Sequence, residues 1–161
     1  MCYLFILFHE LSHIFVASLF GKKMEKLKLT LSGVNVKFER EKYILKSENE
    51  YFHNMLIYFA GPLSNIILAM IFHSNIMIYE INICLGMINL LPIYPLDGYN
   101  ILKNVLGNNY KNIYLDIIGN ITLIVLFLIS IYQILFLKSI SILIFSVYIF
   151  LIKMFAKYAS K

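Results

Sequence analysis

Phe8-His9-Glu10-Leu11-Ser12-His13 is the stretch on which the reading of this chain turns. It lies inside an otherwise apolar segment, Met1–Phe20, which Gly21-Lys22-Lys23 closes. A membrane span needs roughly 20 mostly apolar residues, so Met1–Phe20 reads as one. On a helix the i, i+4 spacing sets His9 and His13 on one face, one turn apart. An ionisable group at bilayer depth costs on the order of 2–3 kcal/mol on insertion scales. His9, Glu10 and His13 crowded on one span therefore need a stabilising partner, and a metal ion is one.

The composition agrees with a membrane setting. The 161 residues are 60% hydrophobic and 14% charged, with a mean hydropathy of +0.77. A soluble domain of this size is about 45–50% apolar and about 25% charged. Too little polar surface remains to coat a water-soluble globule. That excludes an ordinary cytosolic enzyme, a disordered tail and a soluble nucleic-acid binder. The two cysteines, Cys2 and Cys84, cannot form a disulfide framework, and no CxxC pair offers a thiolate metal site.

Outward from the first span, residues 24–50 are the one polar, charged stretch. Leu27, Leu29 and Leu31 alternate with polar residues, Ser32-Gly33 reads as a turn, and Val34, Val36 and Phe38 alternate again. This period of two predicts a small β-hairpin between the first two spans, extended at Tyr43–Leu45. Further spans are expected at Tyr51–Phe72, Ile76–Leu91, within Ile113–Leu137, and at Ile140–Phe155. Gly61-Pro62 interrupts the second, as a kink or a site of close approach. The third ends in Pro92-Ile93-Tyr94-Pro95-Leu96-Asp97-Gly98, with a short helix at Tyr99–Leu106 and a turn at Gly107-Asn108-Asn109. The fold class expected is an all-α polytopic membrane protein of about five transmembrane helices, with 1–161 as a single domain.

Of the 14 Lys and Arg, eight fall between Lys22 and Lys46, and the rest cluster at Lys103, Lys111, Lys138, Lys153, Lys157 and Lys161. Basic clusters of this kind flank membrane spans on the cytoplasmic side. Placing the 22–50 loop there leaves only Lys138 outside and makes the C-terminus cytoplasmic. His9 then lies about 18 Å from the cytoplasmic end of its span, so water must reach well into the membrane.

From one helix face, His9 and His13 can bind a single tetrahedral Zn²⁺. Glu10 beside them is placed to take a proton from water at that metal. A catalytic zinc needs a third protein ligand, and Asp97 is the best candidate. It sits in a Pro-flanked break, and non-helical backbone at membrane depth is tolerated only where it is buried in protein or lines a wet cavity.

Three segments in order resemble the site-2 protease family of intramembrane zinc metalloproteases. His9-Glu10-Leu11-Ser12-His13 with Ala17 resembles its HExxHxxxA motif, Ala60-Gly61-Pro62-Leu63-Ser64-Asn65 its AGPxxN motif, and Asn89-Leu90-Leu91-Pro92-Ile93-Tyr94-Pro95-Leu96-Asp97-Gly98 its NxLPxxPLDG motif. The most similar subgroup is the short bacterial type of stage IV sporulation protein FB, which processes a sigma-factor precursor. The resemblance implies a three-helix metalloprotease core over 1–106 with accessory spans at 112–157; as departures from the family, no PDZ domain fits in the 24–50 loop and no C-terminal CBS domain is expected. It implies one Zn²⁺ per chain held by His9, His13 and Asp97, Glu10 as base, and Asn89 assisting at the substrate carbonyl or oxyanion. It also implies a bacterial cell or forespore membrane, a membrane-associated protein substrate, a regulatory membrane protein and no nucleic acid. Family members usually carry a span before the HExxH helix, whereas eight residues precede His9 here. An upstream start adding a span is therefore expected. Tyr99 stands where the family commonly has a second Gly after LDG.

Asn65 reads either as glue between helices or as a group of the site. Asp116 reads as a structural acid near a helix start, Glu80 as interfacial, His53 and His73 as solvated, and Cys84 as a small apolar packer. Two other functions compete. One is a catalytically inactive truncated relative or metal-binding membrane scaffold. The other is a metal-ion transporter, for which spans four and five offer only Asp116, Asn120, Thr122, Gln133 and a few Ser.

Overall fold

The computed structural model describes residues 2–22, 24–30, 33–38, 48–106 and 112–159. Helix α1 (Cys2–Leu19) is followed by strands β1 (Met24–Thr30) and β2 (Gly33–Phe38), then α2 (Glu48–Ile71), α3 (Ile76–Asn89), α4 (Asp97–Leu106), α5 (Asn112–Leu137) and α6 (Ser141–Ala159). The strands pair antiparallel, with Leu29 opposite Val34 and Thr30 opposite Gly33. The expected strand extension at Tyr43–Leu45 and the turn at Gly107-Asn108-Asn109 lie outside the described residues.

Helix α1 packs through one stripe at four-residue spacing: Phe5, His9, His13 and Ala17 are all buried. That is the i±4 row of a helix surface, so both histidines belong to the packed seam and not to the lipid face. On α2 the buried residues are mostly small, with Ala60, Asn65 and Ala69 buried as well as Ile57. Small residues let membrane helices approach closely, where packing replaces the hydrophobic drive available in water. Pro62 lies within α2 and cannot donate to the carbonyl one turn earlier.

Helix α3 crosses the same region of α2. A Cβ on Gly86 would sit 3.2 Å from the Pro62 carbonyl oxygen and 3.6 Å from Asn65 Cβ, so this glycine permits the approach. Asn75 caps its start by accepting a hydrogen bond from the Ile78 N–H at 3.3 Å. With 14 residues, α3 is about 21 Å long, short of the roughly 30 Å hydrocarbon core.

Past Leu90 the chain leaves helical geometry through two prolines, with a cis peptide at Tyr94–Pro95. Ile93 of this break is fully buried and packs with Leu123 of α5 and Ile149 of α6. Gly119 of α5 lies against the break, where a Cβ would meet the Pro92 carbonyl oxygen at 3.0 Å. The break returns to helix at Asp97, and α4 runs to Leu106, beginning two residues before the expected Tyr99. Gly98 makes this possible: a Cβ there would collide with the backbone carbonyls of Leu90 and Leu91. Helices α5 and α6 are tied by Lys153 Nζ donating to Asn120 Oδ1 at 2.6 Å and by the Ile142 N–H donating to Gln133 Oε1 at 3.1 Å.

Among the described residues, two helical segments, Glu50–Ile71 and Ile113–Leu137, are long and apolar enough to cross a membrane. Tyr3–Leu19, Ile76–Asn89 and Ser141–Phe155 are apolar but shorter. Only 11% of the most apolar window of α5 is buried. A core helix of a soluble protein would hide that window, whereas α5 turns Ile117, Ile121, Ile124 and Leu128 outward.

Two sequence expectations change here. Cys84 is exposed and does not serve as a packing residue. His53 is half-buried, its ring stacked on Phe20 with centroids 4.2 Å apart.

Candidate metal centre

Two elements distant in sequence, α1 and α4, meet at one point. His9 Nε2 of α1 lies 2.9 Å from Asp97 Oδ2, the first residue of α4. His13 Nε2 lies 3.2 Å from the same oxygen. Ligand atoms of the three side chains all lie within 4.8 Å of one another. The imidazoles stand nearly edge to face, with centroids 4.8 Å apart and planes at 81°. Ligands about 2.0–2.1 Å from a tetrahedral zinc are separated by about 3.3–3.4 Å. The two nitrogen–oxygen distances fall within a few tenths of an ångström of that edge. Two imidazoles and one carboxylate also form the three-ligand set that leaves a fourth position open on a catalytic zinc. The residues present therefore fit the ion.

The backbone of α2 closes one side of this centre. A Cβ on Gly61 would lie 2.6 Å from His9 Nε2 and collide with His13 Nε2. Only glycine leaves the space beside both ligand nitrogens open. The sequence reading of Gly61-Pro62 as a close-approach site is thus specified: what approaches is the pair of imidazoles.

Each histidine is held from its far side. His13 Nδ1 is 2.7 Å from the Ile57 carbonyl oxygen. Donation to that carbonyl puts the ring proton on Nδ1 and turns a bare Nε2 toward Asp97. His9 Nδ1 faces Asn65 Nδ2 at 3.1 Å. Tyr58 stands edge-on to His13, with centroids 6.5 Å apart. The Ile57 carbonyl had no signal in the sequence, because any residue supplies a backbone oxygen. Its position followed only once α1 and α2 were seen to pack.

Glu10 lies between the two histidines on α1 and is half-buried. Asn89, also half-buried, donates from Nδ2 to the Leu85 carbonyl at 3.0 Å on its own helix. It is the last residue of α3, at the entry to the break that delivers Asp97. The structure thus brings His9, His13 and Asp97 together, and no hydrogen bond joins Asn89 to them among the described residues.

A helical bundle with outward apolar faces, two buried histidines and a half-buried aspartate beside them defines a membrane-type protein built around a candidate metal centre. Comparisons with known proteins point to a family. The model described as Peptidase family M50 matches residues 1–80. A zinc metalloprotease of Methanocaldococcus jannaschii is 31% identical over 119 residues, which is 65% of this chain and 33% of that protein. The solved site-2 protease of Methanocaldococcus jannaschii superimposes with a TM-score of 0.64 at 24% identity, covering 93% of this chain and 72% of the other. At that identity the likeness shows a shared fold. Residues 1–80 thus match peptidase family M50, and the chain shares the fold of a site-2 protease. The match spans about a third of the length of its curated relative.

Proposed function

We propose that this chain is an intramembrane zinc metalloendopeptidase that hydrolyses peptide bonds of membrane-associated proteins. The observation that carries the proposal is the meeting of His9, His13 and Asp97 on one point, with Gly61 leaving the space beside them open. His9, His13 and Asp97 would hold the Zn²⁺. When bound, the ion supplies Lewis acidity, which polarises the scissile carbonyl and makes water a nucleophile near neutral pH. Glu10 takes the proton of the attacking water and returns it to the leaving amine. One N–H of Asn89 is committed to Leu85, and the second donates to the developing oxyanion. A helical substrate hides its carbonyls in its own hydrogen bonds, so it unwinds before cleavage. The paired strands β1 and β2 offer an edge on which an extended segment is held.

The reading includes five membrane crossings, with the 22–50 loop and the C-terminus in the cytoplasm of a bacterial cell. The apolar exterior of α5 and the distribution of Lys and Arg support it. A regulatory membrane protein and a sigma-factor precursor as substrate belong to the same proposal and rest on motif resemblance alone. The test is proteolysis in reconstituted vesicles of a single-span protein whose span carries helix-breaking residues. The parent chain cleaves it, and Glu10→Gln loses activity by several orders of magnitude while keeping zinc. Equal cleavage by Glu10→Gln rejects the mechanism. Zinc binding without cleavage by the parent favours the metal-binding scaffold.

A further inference from the structure

Asn65 stands on α2, fully buried, in the membrane-embedded seam between α1 and α2. Its Nδ2 lies 3.1 Å from His9 Nδ1. Its Oδ1 is buried and has no hydrogen-bond partner among the described residues. A buried carbonyl oxygen without a donor costs about 1–3 kcal/mol, so simple helix–helix glue would be a poor use of this residue. The nearest ring is the one whose other nitrogen, Nε2, faces Asp97 at 2.9 Å.

A neutral imidazole carries one N–H and one bare nitrogen. With Nε2 as the metal-binding atom, the proton of His9 sits on Nδ1, and that N–H points at Asn65. A carboxamide is nearly isosteric under a half-turn about its last bond, which exchanges Oδ1 and Nδ2. Turned so, Oδ1 accepts from His9 Nδ1–H, and the one unpartnered atom of Asn65 is satisfied by the same contact that fixes the ring.

We propose that Asn65 is a positioning residue of the metal centre, whose carboxamide oxygen accepts the Nδ1–H of His9 and thereby holds His9 in the tautomer that ligates. The proposal rests on the zinc reading given above and deepens it. It gives the two histidines parallel support: His13 leans on the backbone carbonyl of Ile57, and His9 on the side chain of Asn65. A neutral acceptor suits the place. Glu10 and Asp97 already bring two carboxyl groups to this buried region, and a third charge would add desolvation cost. It also explains why the polar residue of this seam falls four positions after Gly61. One turn of α2 separates the glycine that clears the ligand nitrogens from the amide that sets one ring.

The test uses the full chain in detergent and reads zinc affinity by competition with a chromogenic chelator. Outer-shell partners of ligating histidines are commonly worth 10–100-fold in metal affinity. Asn65→Leu keeps the volume and removes the acceptor, and weakens zinc binding by about 10–100-fold. Asn65→Asp keeps an acceptor and binds zinc within a few-fold of the parent. Nitrogen-15 spectra of the zinc-loaded parent, labelled at histidine, show His9 protonated at Nδ1, a readout that needs no variant to fold. A parent that binds zinc, with Asn65→Leu binding it equally tightly, overturns the role of Asn65. So does a zinc-loaded parent in which His9 is protonated at Nε2. A parent that binds no zinc overturns the metal reading itself.

Discussion

Asp97 reaches His9 across 88 residues of sequence, and its Oδ2 settles 2.9 Å from Nε2. The carboxylate is delivered by a break in the helices, so whatever fixes the break fixes the centre. Ile93 does this from below: it is fully buried against Leu123 and Ile149, which makes α5 and α6 the platform on which the third ligand stands. Ile93→Ala opens a cavity there and should lower stability by about 2–5 kcal/mol. Thermal unfolding in detergent measures that loss, and chelator competition should show weaker zinc binding in the folded variant. Unchanged zinc affinity would mean that α5 and α6 do not position Asp97.

Gly61 presents no side chain where one would press on both imidazoles. The contact is made by ligand nitrogens that cannot retreat without leaving Asp97. Gly61→Ala should therefore cost zinc affinity on the order of 100-fold, while circular dichroism shows the helices retained. A Gly61→Ala variant with full zinc affinity would show that the imidazoles have room to shift.

The helical elements were legible in the sequence because long apolar segments bounded by Lys, Gly and Pro leave few alternatives. Helix α5, expected within 113–137, spans 112–137, and α3 begins at Ile76 as expected. The His9–His13 pair was legible because helix periodicity alone puts both on one face. Asp97 was the best candidate because charge and a Pro-flanked break coincide there. Ile57 could not be read, because it acts through its backbone. Gly61 was legible only as a kink or close-approach site and Asn65 only as glue or a group of the site, because the rings they meet stand on another helix. All depend on how α1 and α2 are phased, which no single helix encodes. The stacking of His53 was not legible for the same reason, since its partner Phe20 lies just past the end of α1.

The distribution of Lys and Arg makes a prediction about sidedness. Cysteines substituted at Lys46 and Lys138 should label from opposite faces of sealed vesicles, with Lys46→Cys reached from the cytoplasmic side. Labelling of both from one face would contradict the five-span topology.

The central claim is that His9, His13 and Asp97 hold one zinc ion. The most direct measurement is native mass spectrometry of the purified chain beside Asp97→Ala and His13→Ala, with zinc counted per polypeptide. One zinc per parent chain, lost or severely depleted in both variants and retained in Glu10→Gln, is the expected result. Full zinc occupancy in Asp97→Ala or His13→Ala, or none in the parent after zinc loading, would contradict the account.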